Sequence, residues 1–122
     1  MTQIWAVDLD DTITSTPEAM KSLMEGLRAQ GCEVHVVSGV KDGPVTAQAL
    51  AQKKALLDSL GFEQGTAYDQ LIAVGGPEKK VAAGKVAYMT HVGASCLVDD
   101  RKKNCKAAKK AGFLALRHIA PK

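Results

Sequence analysis

Aromatic residues are scarce in this chain: Phe, Tyr and Trp make up 4% of its 122 residues. The core must therefore be built from Val, Leu, Ile, Ala and Met, and a stacking platform for single-stranded nucleic acid has few rings to draw on. Long apolar runs are missing too, and nothing approaches the ~18 residues that cross a membrane. The N-terminus shows no basic region followed by an apolar stretch, so no secretory leader is expected and the cytosol is the expected compartment. Cysteine is sparse and odd in number. Cys32, Cys96 and Cys105 have neither zinc-site spacing nor a disulfide framework, and they read as small buried apolar residues. His35, His91 and His118 are equally scattered and form no metal motif. Net charge is a mild +3, which leaves a nucleotide or nucleic-acid partner open.

What the chain does have is a steady alternation of strand and helix patterns. Residues 3–7 (QIWAV) read as a buried strand. Ser15 or Thr16 then offers a helix cap, Pro17 suits the first turn, and Met20, Leu23, Met24 and Leu27 form one apolar face. Gly31 stops that helix, and residues 33–39 (EVHVVSG) form a second strand ending in Ser38 and Gly39. A loop (VKDGP) leads to a helix over residues 45–60, with Ala49, Leu56, Leu57 and Leu60 inward. Further strands are expected at 71–74, 95–98 and 113–118, with helices between them. Strands that alternate with helices imply a parallel sheet covered on both faces. The expected fold is thus a single α/β domain over residues 1–122, a Rossmann-like three-layer sandwich with a five-stranded parallel sheet and no cap domain.

Much of the positive charge lies in RKKNCKAAKK, residues 101–110. On a helix, Cys105, Ala108 and Gly112 would face inward and Lys102, Lys106, Lys109 and Lys110 outward. Such a face is either simply solvated or turned toward a phosphate-rich partner.

The carboxyl ends of a parallel sheet are where ligands bind. The first strand ends in Asp8, Asp10 and Thr12, the second in Ser38, and the fourth in Asp99 and Asp100. Carboxylates this close repel one another, so a cation is expected among them. Oxygen donors of this kind suit Mg²⁺. The stretches DLDDT, VVSG and LVDDRKKN, in this order and each at a strand end, resemble the haloacid dehalogenase superfamily. The resemblance spans about residues 4–117 and implies a magnesium-dependent phosphatase working through an aspartyl-phosphate.

By that resemblance Asp8 is the nucleophile and Asp10 the general acid/base, which must carry a proton to serve the leaving group. Asp8, Asp99, Asp100 and the backbone carbonyl of Asp10 would hold the metal. Thr12 would tether the turn, and Ser38 with Gly39 would receive the phosphoryl group. A catalytic lysine is also implied; Lys79, Lys80 and Lys85 are candidates, of which Lys85 is best placed before the fourth strand. Asn104 matches a position that steadies the acidic pair or the lysine.

No cap fits between Thr12 and Ser38 or between Ser38 and Lys85. Loops 39–44 and 62–70 are therefore expected to rim an open site, with Tyr68 and Asp69 near the substrate. A phosphorylated substrate is implied, small or borne by a nucleic acid or protein. A receiver-like signalling domain is disfavoured, because it needs a lone Asp after the third strand and this one ends in AVGG. A catalytically weak binding module remains the alternative.

Overall fold

The first strand lies in the middle of the sheet. β1 (Ile4–Val7) pairs in parallel with β2 (Glu33–Lys41) on one side and with β4 (Cys96–Asp99) on the other. β3 (Gln70–Gly76) extends the sheet beyond β2, and β5 (Leu114–Arg117) extends it beyond β4. The order is β3-β2-β1-β4-β5, all parallel. The helices are α1 (Pro17–Ala29), α2 (Ala47–Ser59), α3 (Glu78–Val92) and α4 (Lys102–Lys110). This computed structural model describes residues 2–121, apart from the side chains of Glu78 and Lys79. The five-stranded Rossmann-like sandwich expected from the alternation is the fold found. Among the described residues no helix is long and apolar enough to cross a membrane.

Alternation along the strands builds two cores, one on each face of the sheet. Val7, Val34, Val36, Cys96 and Val98 pack with Met20 and Met24 of α1 and Leu57 of α2. Ala6, Val37, Leu97 and Ala115 pack on the other face with Met89 of α3 and Cys105 and Ala108 of α4. Cys96 and Cys105 are buried free thiols, and burial pushes the Cys96 thiol up to about 11. Both are packing residues.

Some local expectations need correction. β2 does not stop at Gly39 but runs to Lys41, because β3 continues beside it to Gly76. The pair overshoots the end of β1 as a two-stranded wall. Thr16 precedes α1 but makes no side-chain cap; its Oγ1 lies 2.7 Å from His118 Nε2 instead. Leu23 is 39% exposed, off the apolar face of α1. Gly112 lies past the end of α4 with φ +94° and is exposed, so it stops the helix rather than facing the core.

The 62–70 loop is also misplaced by the sequence pattern. It precedes β3, so it lies at the amino end of the sheet, opposite the expected rim. Tyr68 is fully buried in the α1–α2 core. Asp69 is held by Arg28 Nη2 at 2.9 Å and accepts the Val34 N–H at 2.8 Å. Both residues lock the fold.

Candidate functional site

The strand order fixes where the site forms. From β1 the chain leads to β2 and β3 on one side, then crosses to β4 and β5 on the other, which opens a crevice at the carboxyl ends of β1 and β4. Asp8 continues the extended backbone of β1, with φ −73° and ψ 149°, and its N–H donates to the Val98 carbonyl at 2.9 Å. Asp8 therefore falls on the same face as Ala6, and Asp99 on the same face as Leu97. Parity sends both carboxylates toward α3 and α4.

Those helices supply their partners. Lys85, on α3, is 1% exposed and donates from Nζ to Asp8 Oδ1 and Asp99 Oδ2, each at 2.7 Å. Gly84 lets α3 approach the sheet this closely: a Cβ there would meet Val74 Cβ at 3.3 Å. Asn104, on α4, donates from Nδ2 to Asp99 Oδ2 at 3.0 Å. Its Oδ1 is buried with no hydrogen-bond partner among the described residues. Lys85 is the candidate lysine brought to the carboxylates among the described side chains. Lys80 is exposed, and the side chain of Lys79 lies outside the described residues.

The turn after β1 closes the other side of the cluster. Leu9–Ile13 makes one wide turn in which the Thr14 N–H reaches the Leu9 carbonyl at 3.1 Å. Asp11 sits at φ +62°, in the left-handed region that Asp tolerates better than most residues. Its N–H donates to Thr14 Oγ1 at 2.8 Å, so Asp11 shapes the turn. Thr12 Oγ1 then lies 3.0 Å from Asp8 Oδ2 and 3.2 Å from Asp100 Oδ1. Oxygens of Asp8, Asp99 and Asp100 come within 4.8 Å of one another, a set that could hold a metal ion.

Asp10 and Ser38 belong to a separate group. Ser38 shares the parity of Val36 and points toward the α1–α2 face. Its Oγ donates to Asp10 Oδ2 at 3.2 Å, and Lys53 of α2 reaches the same oxygen at 2.6 Å. The Asp10 carboxylate is thus held by Ser38 and Lys53. Lys53 was missed by the sequence pattern. It sits in a weakly patterned helix with no motif around it, and only the fold brings it to Asp10.

A cavity of about 430 Å³ opens above these groups. Asp8, Asp10, Lys85 and Asn104 line it, together with Gly39, Gln52, Gly76 and Val81. Lys41, Lys53 and Arg101 add positive charge around it.

Two buried carboxylates share the Lys85 ammonium at the floor. Burial pushes the Asp8 carboxyl up to about 7; Lys85 opposes this, while Asp99 and Asp100 reinforce it. Burial pulls Lys85 down, but Asp8 and Asp99 outweigh it and raise its pKa, so it remains an ammonium. Without a further cation, a proton on Asp8 relieves the repulsion.

No protein-family model matches the sequence, and no curated protein matches it. Solved structures do match. A universal stress protein in complex with cAMP is 14% identical, covering 98% of each chain at a TM-score of 0.66. A universal stress protein from Archaeoglobus fulgidus is 19% identical, covering 96% of this chain and 93% of that one at 0.61. A HAD family enzyme from Bacteroides thetaiotaomicron, in complex with magnesium and inorganic phosphate, is 11% identical, covering all of this chain and 96% of that one at 0.55.

These likenesses show the fold, and they correct the resemblance drawn from the sequence. Universal stress protein chains at 14–19% identity outnumber HAD family enzymes at 11–16% among these matches. Membership of that superfamily, and the magnesium-dependent phosphatase it implied, are not supported. The physical reason is that one sheet architecture superposes on both groups. A doubly wound sheet gathers strand-end carboxylates and hydroxyls at one rim whatever the chemistry, so their order along the chain does not identify a reaction.

Proposed function

We propose that the chain is a binding module for a small phosphorylated molecule, taken up together with a divalent cation at the carboxyl ends of β1 and β4. The observation that carries this is the mismatch at the floor of the cavity. Lys85 bonds Asp8 and Asp99, a third carboxylate, Asp100, brings an oxygen within 4.8 Å of theirs, and beside them lies a buried acceptor, Asn104 Oδ1, with no donor among the described residues. A hydrated cation answers both deficits, because it neutralises charge and brings water protons. Hard oxygen ligands at this spacing fit Mg²⁺.

Asp8, Asp99 and Asp100 would hold the ion, and bound there it would offset the charge of a phosphate group. Lys85 fixes the two buried carboxylates at a set separation. Thr12 tethers Asp8 to Asp100. Ser38 and Lys53 hold Asp10 at the cavity edge, where Lys53 can turn to an incoming anion, and Gly39 lets Val81 pack against β2. The phosphate-bearing ligands named for two structural neighbours, cAMP in one and inorganic phosphate with magnesium in another, support this ligand class. The buried free thiols fit a reducing compartment, and we assign the protein to the cytosol.

Calorimetric titration of the metal-stripped protein with Mg²⁺, then with phosphate, tests the proposal. Saturable Mg²⁺ binding is expected, weakened about tenfold or more by Asp100→Asn. No heat and no thermal shift with Mg²⁺, Mn²⁺ or Ca²⁺ sinks it.

A further inference from the structure

Charge is spread unevenly along this chain. Residues 101–122 hold six lysines and two arginines, eight of the 16 basic residues, and none of the 13 carboxylates. From residue 79 onward the acidic residues are Asp99 and Asp100 alone, and both belong to the cluster in the crevice.

The fold gathers the excess on one surface. Asn104, Cys105 and Ala108 form the buried side of α4. At about 100° per residue, Lys102, Lys103, Lys106, Lys109 and Lys110 fall within about 120° of arc on the other side. All five are exposed. α3 packs on the same face of the sheet, and its exposed positions Lys80, Ala83, Ala87, Thr90 and His91 carry no carboxylate. Lysines elsewhere meet acids: Lys53 reaches Asp10, Lys54 reaches Asp58, and Lys85 reaches Asp8 and Asp99. Among the described residues none of the five α4 lysines is in an ion pair. The arrangement also works against the helix. Lys102–Lys106 and Lys106–Lys110 are like-charge pairs at i,i+4, and Lys102 and Lys103 stand in the first turn, where the helix dipole disfavours cations. A residue pattern that weakens its own helix points to a role outside the fold.

We propose that this face of α4 binds the phosphate backbone of double-stranded nucleic acid without reading its sequence. From Lys102 to Lys110 the helix rises about 12 Å. A duplex carries one charge per about 1.7 Å of its axis, roughly seven over that length. A single strand, or an extended acidic peptide at about 3.3 Å per residue, offers about half that density. Single strands also need rings to stack on, and the rings nearby are engaged. Tyr88 Oη lies 2.6 Å from His35 Nδ1, and Phe113 packs against the core beneath α4. A bilayer surface needs an apolar side to take up, and that of α4 is already buried on the sheet. Lysine ammonium groups are point charges without the fork that reads base edges, so they contact phosphate whatever the sequence. The surface does not depend on the proposed cation site.

Fluorescence anisotropy of a labelled duplex DNA, in chelator and with salt varied, tests it. Log affinity is expected to fall linearly with log salt at a slope of about −4.5, about −0.9 for each lysine that neutralises a phosphate. Lys102→Gln, Lys106→Gln and Lys110→Gln combined should reduce the slope to about −2 and weaken binding at low salt about tenfold or more. Melting temperature should hold or rise, because like-charge pairs are removed. Lys21→Gln, on α1 across the sheet, should alter neither slope nor affinity. Absence of binding at low salt overturns the proposal, as does a slope that the triple substitution leaves unchanged. Equal or tighter binding of polyglutamate, single-stranded DNA or phosphatidylserine vesicles at matched charge also overturns it, and gives the face to that polyanion instead.

Discussion

Asp8 and Asp99 end neighbouring strands on the same face of the sheet and share one ammonium, with Lys85 Nζ 2.7 Å from an oxygen of each. The three groups are buried, so little water screens them. Neither the charge balance nor the fold near the crevice is independent of this contact.

Removing the ammonium should therefore be costly. Lys85→Met leaves two buried carboxylates without their common partner, and breaking such a pair costs about 3–5 kcal/mol. Urea denaturation of the metal-free protein should show a loss of this size. Added Mg²⁺ should recover part of it. A loss under 1 kcal/mol would mean that the buried carboxylates are protonated and need no cation.

The pH dependence has a definite sign. The pKa of Asp8 in the folded, metal-free chain is raised to about 7 from 3.8, mainly by burial. The folded state then binds the proton more tightly than the unfolded state. Its contribution to stability is complete below the unfolded value near 3.8 and is lost as pH rises through about 7. Melting temperature measured in a chelator should fall across that window, and Asp8→Asn should flatten the trend. Saturating Mg²⁺ should also flatten it by favouring the ionised carboxylate. A melting temperature that rises with pH across the window would contradict this.

Lys53 should matter for the ligand more than for the fold. Its partner Asp10 is about half exposed, and such a pair contributes about 0–1 kcal/mol. Lys53→Met is expected to leave the denaturation midpoint almost unchanged and Mg²⁺ affinity intact, while weakening phosphate binding severalfold. Asp10→Asn, which frees Lys53, should strengthen phosphate binding. A gain of similar size in the Lys53→Met background would show that Lys53 is not the group released.

Asp11 tests the turn. At φ +62° a β-branched residue is strained, so Asp11→Val should cost about 1–2 kcal/mol by chemical denaturation. Asp11→Gly should stay within about 1 kcal/mol of the parent, because glycine adopts this conformation freely. Mg²⁺ affinity should be unaffected in the glycine variant, since Asp11 is outside the acidic cluster. A tenfold loss would give the Asp11 carboxylate a role in holding the ion.

The apolar periods and the glycine and proline stops were enough to reveal five strands in an alternating chain and the parallel sandwich they make. Strand parity is also a sequence property: Asp8 follows Ala6, and Asp99 follows Leu97, onto the face that buries both. The sequence favoured Lys85 among the candidate lysines, and the tertiary structure supplied its two partners, because the packing of α3 on β3 turns Lys85 inward. It likewise separated Ser38 and Asp10 from the acidic cluster, recruited Lys53 from a helix without a motif, and carried the Tyr68 loop to the far end of the sheet. Local patterns record which face a residue occupies and where an element stops. Which residues from distant elements share a crevice depends on strand order and helix packing, and one crevice of this kind serves unrelated chemistries.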